Sequence, residues 1–153
     1  MTKLIQAWVL VAAMCVTCSS TLADTSINVG VLSDYFYRGV VQNTTATTNG
    51  GIDFEQGGFY VGTWAADVED GLEVDVYGGY GLELKNGLAL SAGFTGYYYT
   101  GDFDDSYEEI DLGASFGIVS LVYSIGTYGN FDGPEMDYDF TAITIDKNGL
   151  YGK

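Results

Sequence analysis

From residue 24 onward, apolar and polar positions alternate with a period of two, and no helical stripe of useful length appears. The clearest segment is 72–81, which sets Leu72, Val74, Val76, Gly78 and Tyr80 on one face against Glu73, Asp75, Tyr77, Gly79 and Gly81 on the other. Segment 88–99 repeats the pattern with Leu88, Leu90, Ala92, Phe94 and Tyr98 opposite Ala89, Ser91, Gly93 and Thr95. Segment 27–38 places Ile27, Val29, Val31, Tyr35 and Tyr37 opposite Asn28, Asp34 and Arg38. Segments 107–116 and 118–128 alternate in the same way, and weaker alternation at 50–56, 59–67 and 138–145 brings the total to about eight strands. Many have the length of roughly 9–11 residues that a tilted strand needs to cross a bilayer.

The connections alternate too. Long polar stretches, 39–49, 67–71, 101–106 and 129–137, follow the odd strands. Tight turns follow the even ones: Gln56-Gly57-Gly58, Asn86-Gly87, a step near Gly117, and Asn148-Gly149. Asn-Gly suits a hairpin because both residues tolerate positive φ. Aromatic residues sit near the strand ends, with Tyr35, Tyr37, Trp64 and Tyr98 towards the long loops and Phe59, Tyr80 and Phe116 towards the short turns. Such belts are expected where rings meet lipid headgroups. The fold expected is all-β: an antiparallel up-and-down transmembrane β-barrel of about eight strands, following an N-terminal signal peptide. Its lumen would carry Asp34, Arg38, Asp53, Glu73, Asp75, Glu109 and Asp111, since a charge facing hydrocarbon is strongly unfavourable.

The start of the chain carries the export signal. Lys3 precedes an apolar run from Leu4 to Val16, and Thr21-Leu22-Ala23 offers small residues for cleavage before Asp24. That run is shorter than the roughly 20 residues of a spanning helix. The expected division is a signal peptide over 1–23 and a β-barrel domain over 24–153. Cleavage would remove Cys15 and Cys18, and the sequence has no histidine. This excludes thiol nucleophiles, imidazole bases and cysteine or histidine metal sites, so neither an enzyme nor a cofactor protein is expected. The 21 acidic residues against 5 basic ones repel phosphate backbones, which argues against nucleic acid as a partner. Acidity alone would suggest disorder, but 13 Tyr, 8 Phe and 2 Trp contradict that composition.

Three stretches resemble a known family. Tyr37-Arg38-Gly39-Val40 with Gln42, Gly62-Thr63-Trp64-Ala65, and the run Glu73-Val74-Asp75-Val76-Tyr77-Gly78-Gly79-Tyr80 are similar to the TorF porin family of bacterial outer-membrane proteins. The resemblance covers roughly residues 26–128. It implies an outer-membrane barrel with a channel role and brings no catalytic residues. Such proteins are usually longer and end on an aromatic residue, whereas this chain ends Leu150-Tyr151-Gly152-Lys153. Lys147-Asn148-Gly149-Leu150 echoes Lys85-Asn86-Gly87-Leu88, so the expectation is a barrel cut off as a ninth strand begins. A complete eight-stranded barrel with a short tail is the alternative.

The function expected is passive passage of small solutes or ions, favouring cations because the lumen is acidic. Outer-membrane lipid and the export and barrel-assembly machineries are the expected partners. A non-conducting barrel with a structural or surface role, and a secreted soluble β-sandwich, are the alternatives. Asp102, Asp104, Asp105, Glu108 and Glu109 cluster beside a loop, but they lack the spacing and the sharp-turn glycine of a calcium loop and read as a solvated face. Glu73 and Asp75 share a strand face and read as polar lining rather than an acid–base pair. Arg38, the single arginine, reads as a wall-fixing salt bridge or a constriction charge.

Overall fold

The computed structural model describes residues 23–147 and the backbone of 150–152; the expected signal peptide and the Asn148-Gly149 turn lie outside the described residues. The chain is all-β. Eight full-length strands, β1 (Asp24–Leu32), β4 (Thr47–Gln56), β5 (Phe59–Asp67), β6 (Leu72–Glu83), β7 (Leu88–Tyr99), β8 (Tyr107–Phe116), β9 (Val119–Tyr128) and β10 (Met136–Lys147), pair antiparallel in that order. The short β11 (Leu150–Gly152) follows β10. A separate hairpin, β2 (Tyr35–Tyr37) and β3 (Val40–Asn43), interrupts the connection from β1 to β4.

The turns follow their residues. Gly57 and Gly58 have φ of 58° and 91° and join the paired Gln56 and Phe59, the geometry of a two-residue hairpin of primed type. Gly117 and Gly87 also adopt positive φ in the tight turns predicted for them.

Two expectations need correction. First, the sheet is open. Among the described residues β1 pairs only with β4, and the far end is β10 with three residues of β11, so no ladder closes a barrel. Second, the first strand stops at Leu32 instead of running to residue 38. The bend at Ser33-Asp34 turns the chain away from the sheet plane and sends Tyr35, Tyr37 and Arg38 into the hairpin.

That hairpin lies against one face of the sheet. Its side chains reach Glu73 on β6, Tyr97 on β7, Glu109 on β8, Ser124 on β9 and Phe140 on β10. Three hairpin residues, Tyr35 and Tyr37 of β2 and Arg38 of the turn, thus touch five successive strands, which fits a sheet curled around the hairpin, since neighbouring strands lie about 4.8 Å apart. The concave face is therefore filled and largely polar; Glu73 and Glu109 are each 1% exposed. The convex face is the reverse. Ile27, Val29, Ile52, Phe54, Val61, Val76, Phe94, Ile110, Leu112, Leu121, Ile125 and Ile143 all point outward and are exposed, Val29 to 86%. The buried apolar core is small, built on Tyr35, Trp64, Ala66 and Val68 where the hairpin meets β5.

Candidate functional site

Register, not sequence spacing, assembles the concave face. Asp53, Gly62, Tyr77, Thr95, Glu109, Gly126 and Tyr138 stand opposite one another in a single row across β4 to β10. In that row a tyrosine twice lies over a glycine to reach a carboxylate two strands away. Tyr77 crosses Gly62 and donates to Asp53. Tyr138 crosses Gly126 and donates to Glu109 at 3.0 Å. A Cβ at Gly126 would stand 2.8 Å from the Tyr138 ring, so glycine there makes room for the crossing ring. In the next row Tyr60 lies over Gly79, with its hydroxyl 2.5 Å from where a Cβ would be, and extends over Gly93.

Two buried carboxylates anchor the hairpin. Glu73 accepts from Tyr35 at 2.5 Å and from Tyr99 at 2.9 Å. Glu109 accepts from Arg38 through both guanidinium nitrogens, Nη1 at 3.0 Å and Nη2 at 2.8 Å. It accepts further from Tyr97 at 2.7 Å and Tyr138 at 3.0 Å. Arg38 also donates to Ser124 at 3.2 Å, and Ser124 donates to Asp111 at 2.5 Å. Thr95 donates to the other Asp111 oxygen at 2.8 Å. A fork-to-fork arginine–carboxylate pair out of water is strong and directional.

Arg38 occupies the turn of the hairpin with Gly39, at φ of 47° and 83°. Positive φ is unfavourable for a side chain of this size. Here the bidentate bond to Glu109 and the rings of Phe140 at 4.3 Å and Tyr37 at 4.9 Å hold it in place. Burial pushes the Tyr35 hydroxyl far above its usual range, and the neighbouring Glu73 charge adds to this. Burial likewise raises Tyr37, with Arg38 partly offsetting it. Both are therefore neutral donors at ordinary pH.

Of the residues expected to line a lumen, Asp53, Glu73, Asp75, Glu109 and Asp111 lie on the concave face, and Arg38 meets Glu109 there from the hairpin. Asp34 sits in the bend before the hairpin, outside this network. Of the expected aromatic belts, Phe59, Tyr80, Tyr98 and Phe116 are exposed on the convex face. Tyr35, Tyr37 and Trp64 are not belt residues. The first two travel inward with the hairpin, and Trp64 points to the concave side, where it packs edge-on against Tyr35 at 5.6 Å. The sequence reading missed Ser124 and the tyrosines at 77, 97, 99 and 138 as partners of the carboxylates, because only strand register reveals those pairings.

One row of the same face is unsatisfied. Asn28 Oδ1, Trp64 Nε1 and Asp75 Oδ1 stand on facing positions of β1, β5 and β6 and have no hydrogen-bond partner among the described residues. The acidic loop before β8 binds its own chain instead: Asp104 accepts from Tyr107 and Tyr128, both at 2.8 Å, and Asp105 accepts from the Phe131 backbone N–H at 2.7 Å. Among the described residues no group of three or more such side chains is placed to hold a metal ion.

Neither the curated proteins nor the solved structures gave a match. A family model does match, over residues 17–143, which is most of the chain. The chain therefore belongs to the family described as bacterial protein of unknown function (Gcw_chp).

Proposed function

We propose that this protein is an outer-membrane β-barrel that passes small cations by a porin-like route along its concave face, with the Tyr35–Asn43 hairpin as the constriction. The observation that carries the reading is the inversion of polarity. Large aliphatic and aromatic side chains cover the convex face, while the carboxyl groups at 53, 73, 75, 109 and 111 turn inward. A contiguous apolar surface of this extent is unfavourable in water. It is the surface a barrel presents to lipid.

In hydrocarbon each unpaired backbone group costs several kcal/mol, so the reading requires the edges at β1 and at β10–β11 to pair, with each other or with further strands. The resemblance to TorF porins and the export signal expected from the sequence support the same location. The unpartnered atoms of Asn28, Trp64 and Asp75 support a wet interior, because a buried polar atom without a partner costs about 1–3 kcal/mol unless water meets it.

Planar bilayers test the transport step. In a potassium chloride gradient the reversal potential should show cation preference, and removing the hairpin by a short Gly-Ser bridge from Ser33 to Thr44 should raise the conductance. Anion preference, or no conductance with or without the hairpin, would overturn the channel reading. The close packing around Glu73 and Glu109 favours a second reading, a non-conducting outer-membrane barrel whose hairpin permanently fills it.

A further inference from the structure

Beside the hairpin turn lies a cavity of about 260 Å³ walled by Tyr37, Tyr97, Tyr107, Tyr138, Phe140 and Asp104. We propose that it binds a small organic cation bearing an alkylated ammonium group. The inference stands on side-chain geometry and does not rest on the membrane reading.

The wall offers ring faces rather than donors. Tyr107 lies edge-on to Tyr138 at 5.9 Å and to Tyr97 at 6.4 Å, so the rings stand around the space at different angles. Their hydroxyls are already committed: Tyr97 and Tyr138 to Glu109, Tyr107 to Asp104, and Tyr37 to Tyr97. A phenol that donates to a carboxylate carries a more electron-rich ring, and the negative face of a ring attracts cations. With the hydroxyls spent, little remains to recognise an anion.

The charges agree. Arg38 also borders the cavity, but Glu109 neutralises it, and theirs is the only ion pair among the described residues. Asp104 at the wall has no basic partner among the described residues and Arg38 is matched by Glu109, so the surroundings of the cavity are net negative. Two of the wall rings already accept a cation, since the Arg38 guanidinium sits over Phe140 and Tyr37. A bare metal ion would need a cage of oxygens, which the described residues do not form. A weakly hydrated organic cation needs only aromatic faces and a diffuse negative field.

Calorimetric titration of the full-length protein in detergent with choline tests this, against sodium and the neutral alcohol in which carbon replaces the choline nitrogen. Choline should bind saturably and at least about tenfold more tightly than the neutral alcohol, with no heat of binding from sodium. Tyr107→Phe should retain binding, whereas Tyr107→Leu should weaken it at least about fivefold. Should Tyr107→Leu not fold, Phe140→Leu removes a ring that makes no hydrogen bond and should weaken binding likewise. Equal affinity for choline and its neutral counterpart, no binding of either, or unchanged choline affinity in the folded leucine variants would overturn the proposal. Because the readout is binding and not conductance, it is independent of whether the protein conducts.

Discussion

Glu109 is 1% exposed and is satisfied only because four donor atoms converge on it from β7, β10 and the hairpin. The two halves of its ion pair are not equivalent, since the Arg38 side chain is 18% exposed. Arg38→Ala leaves a buried carboxylate without its countercharge and should cost about 3–5 kcal/mol. Glu109→Ala should cost less, because the freed guanidinium can turn to water, and the double variant should be more stable than the two single losses added together. Urea unfolding of the detergent-solubilised protein measures all three; additive losses would show that the pair does not couple. Alkali probes the other anchor. Tyr35 has its folded pKa raised by burial and by Glu73, so its contribution to stability is complete below the unfolded value of about 10 and is lost as pH rises beyond it. The melting temperature should hold steady up to pH about 10 and then fall, and Tyr35→Phe should flatten that fall.

The strands were largely legible in the sequence, and the hairpin was not. Period-two alternation located β6, β7 and β8 almost to the residue, because a strand with one apolar and one polar face writes its period directly into the chain. The same alternation failed between residues 33 and 38. Tyr35 and Tyr37 continue the apolar phase of Val29 and Val31, and nothing local distinguishes a strand that goes on from one that bends at Ser33-Asp34 and pairs with itself. The carboxylates were legible as a polar face, but their partners were not, since Tyr138 and Glu109 are brought together by two register choices across β9. The crossing glycines are a consequence of that register. Gly126→Ala would place a methyl 2.6 Å from the Glu108 backbone oxygen and 2.8 Å from both the Tyr138 ring and Glu109 Cβ, so it should cost about 1–3 kcal/mol and disturb the Tyr138–Glu109 bond. Gly117→Ala meets nothing within 4 Å, and its cost should be only the roughly 1 kcal/mol of a side chain at positive φ. Thermal unfolding of the two variants side by side checks this, and equal losses would contradict the close packing at Gly126.

A small aromatic core, a polar concave face and an apolar convex face describe a molecule turned inside out relative to a domain that folds in water. Substitution on the two faces should therefore have opposite tolerance. Leu112→Lys on the convex face of β8 should impede folding into lipid vesicles by about 2–4 kcal/mol, whereas Ser115→Lys on the concave face should be far milder. Vesicle-folding yields against urea compare them, and equal penalties would argue for an aqueous surroundings on both sides. The open edges at β1 and β10–β11 sharpen the question of what surrounds the sheet, because only paired edges are stable in hydrocarbon. The most direct measurement is the migration of the outer-membrane-extracted protein on SDS gels with and without boiling. Recovery in the outer-membrane fraction, with an unboiled band that migrates faster than the boiled one, is the result expected of a closed, lipid-embedded barrel. Recovery in the aqueous phase with the same mobility before and after boiling would contradict it.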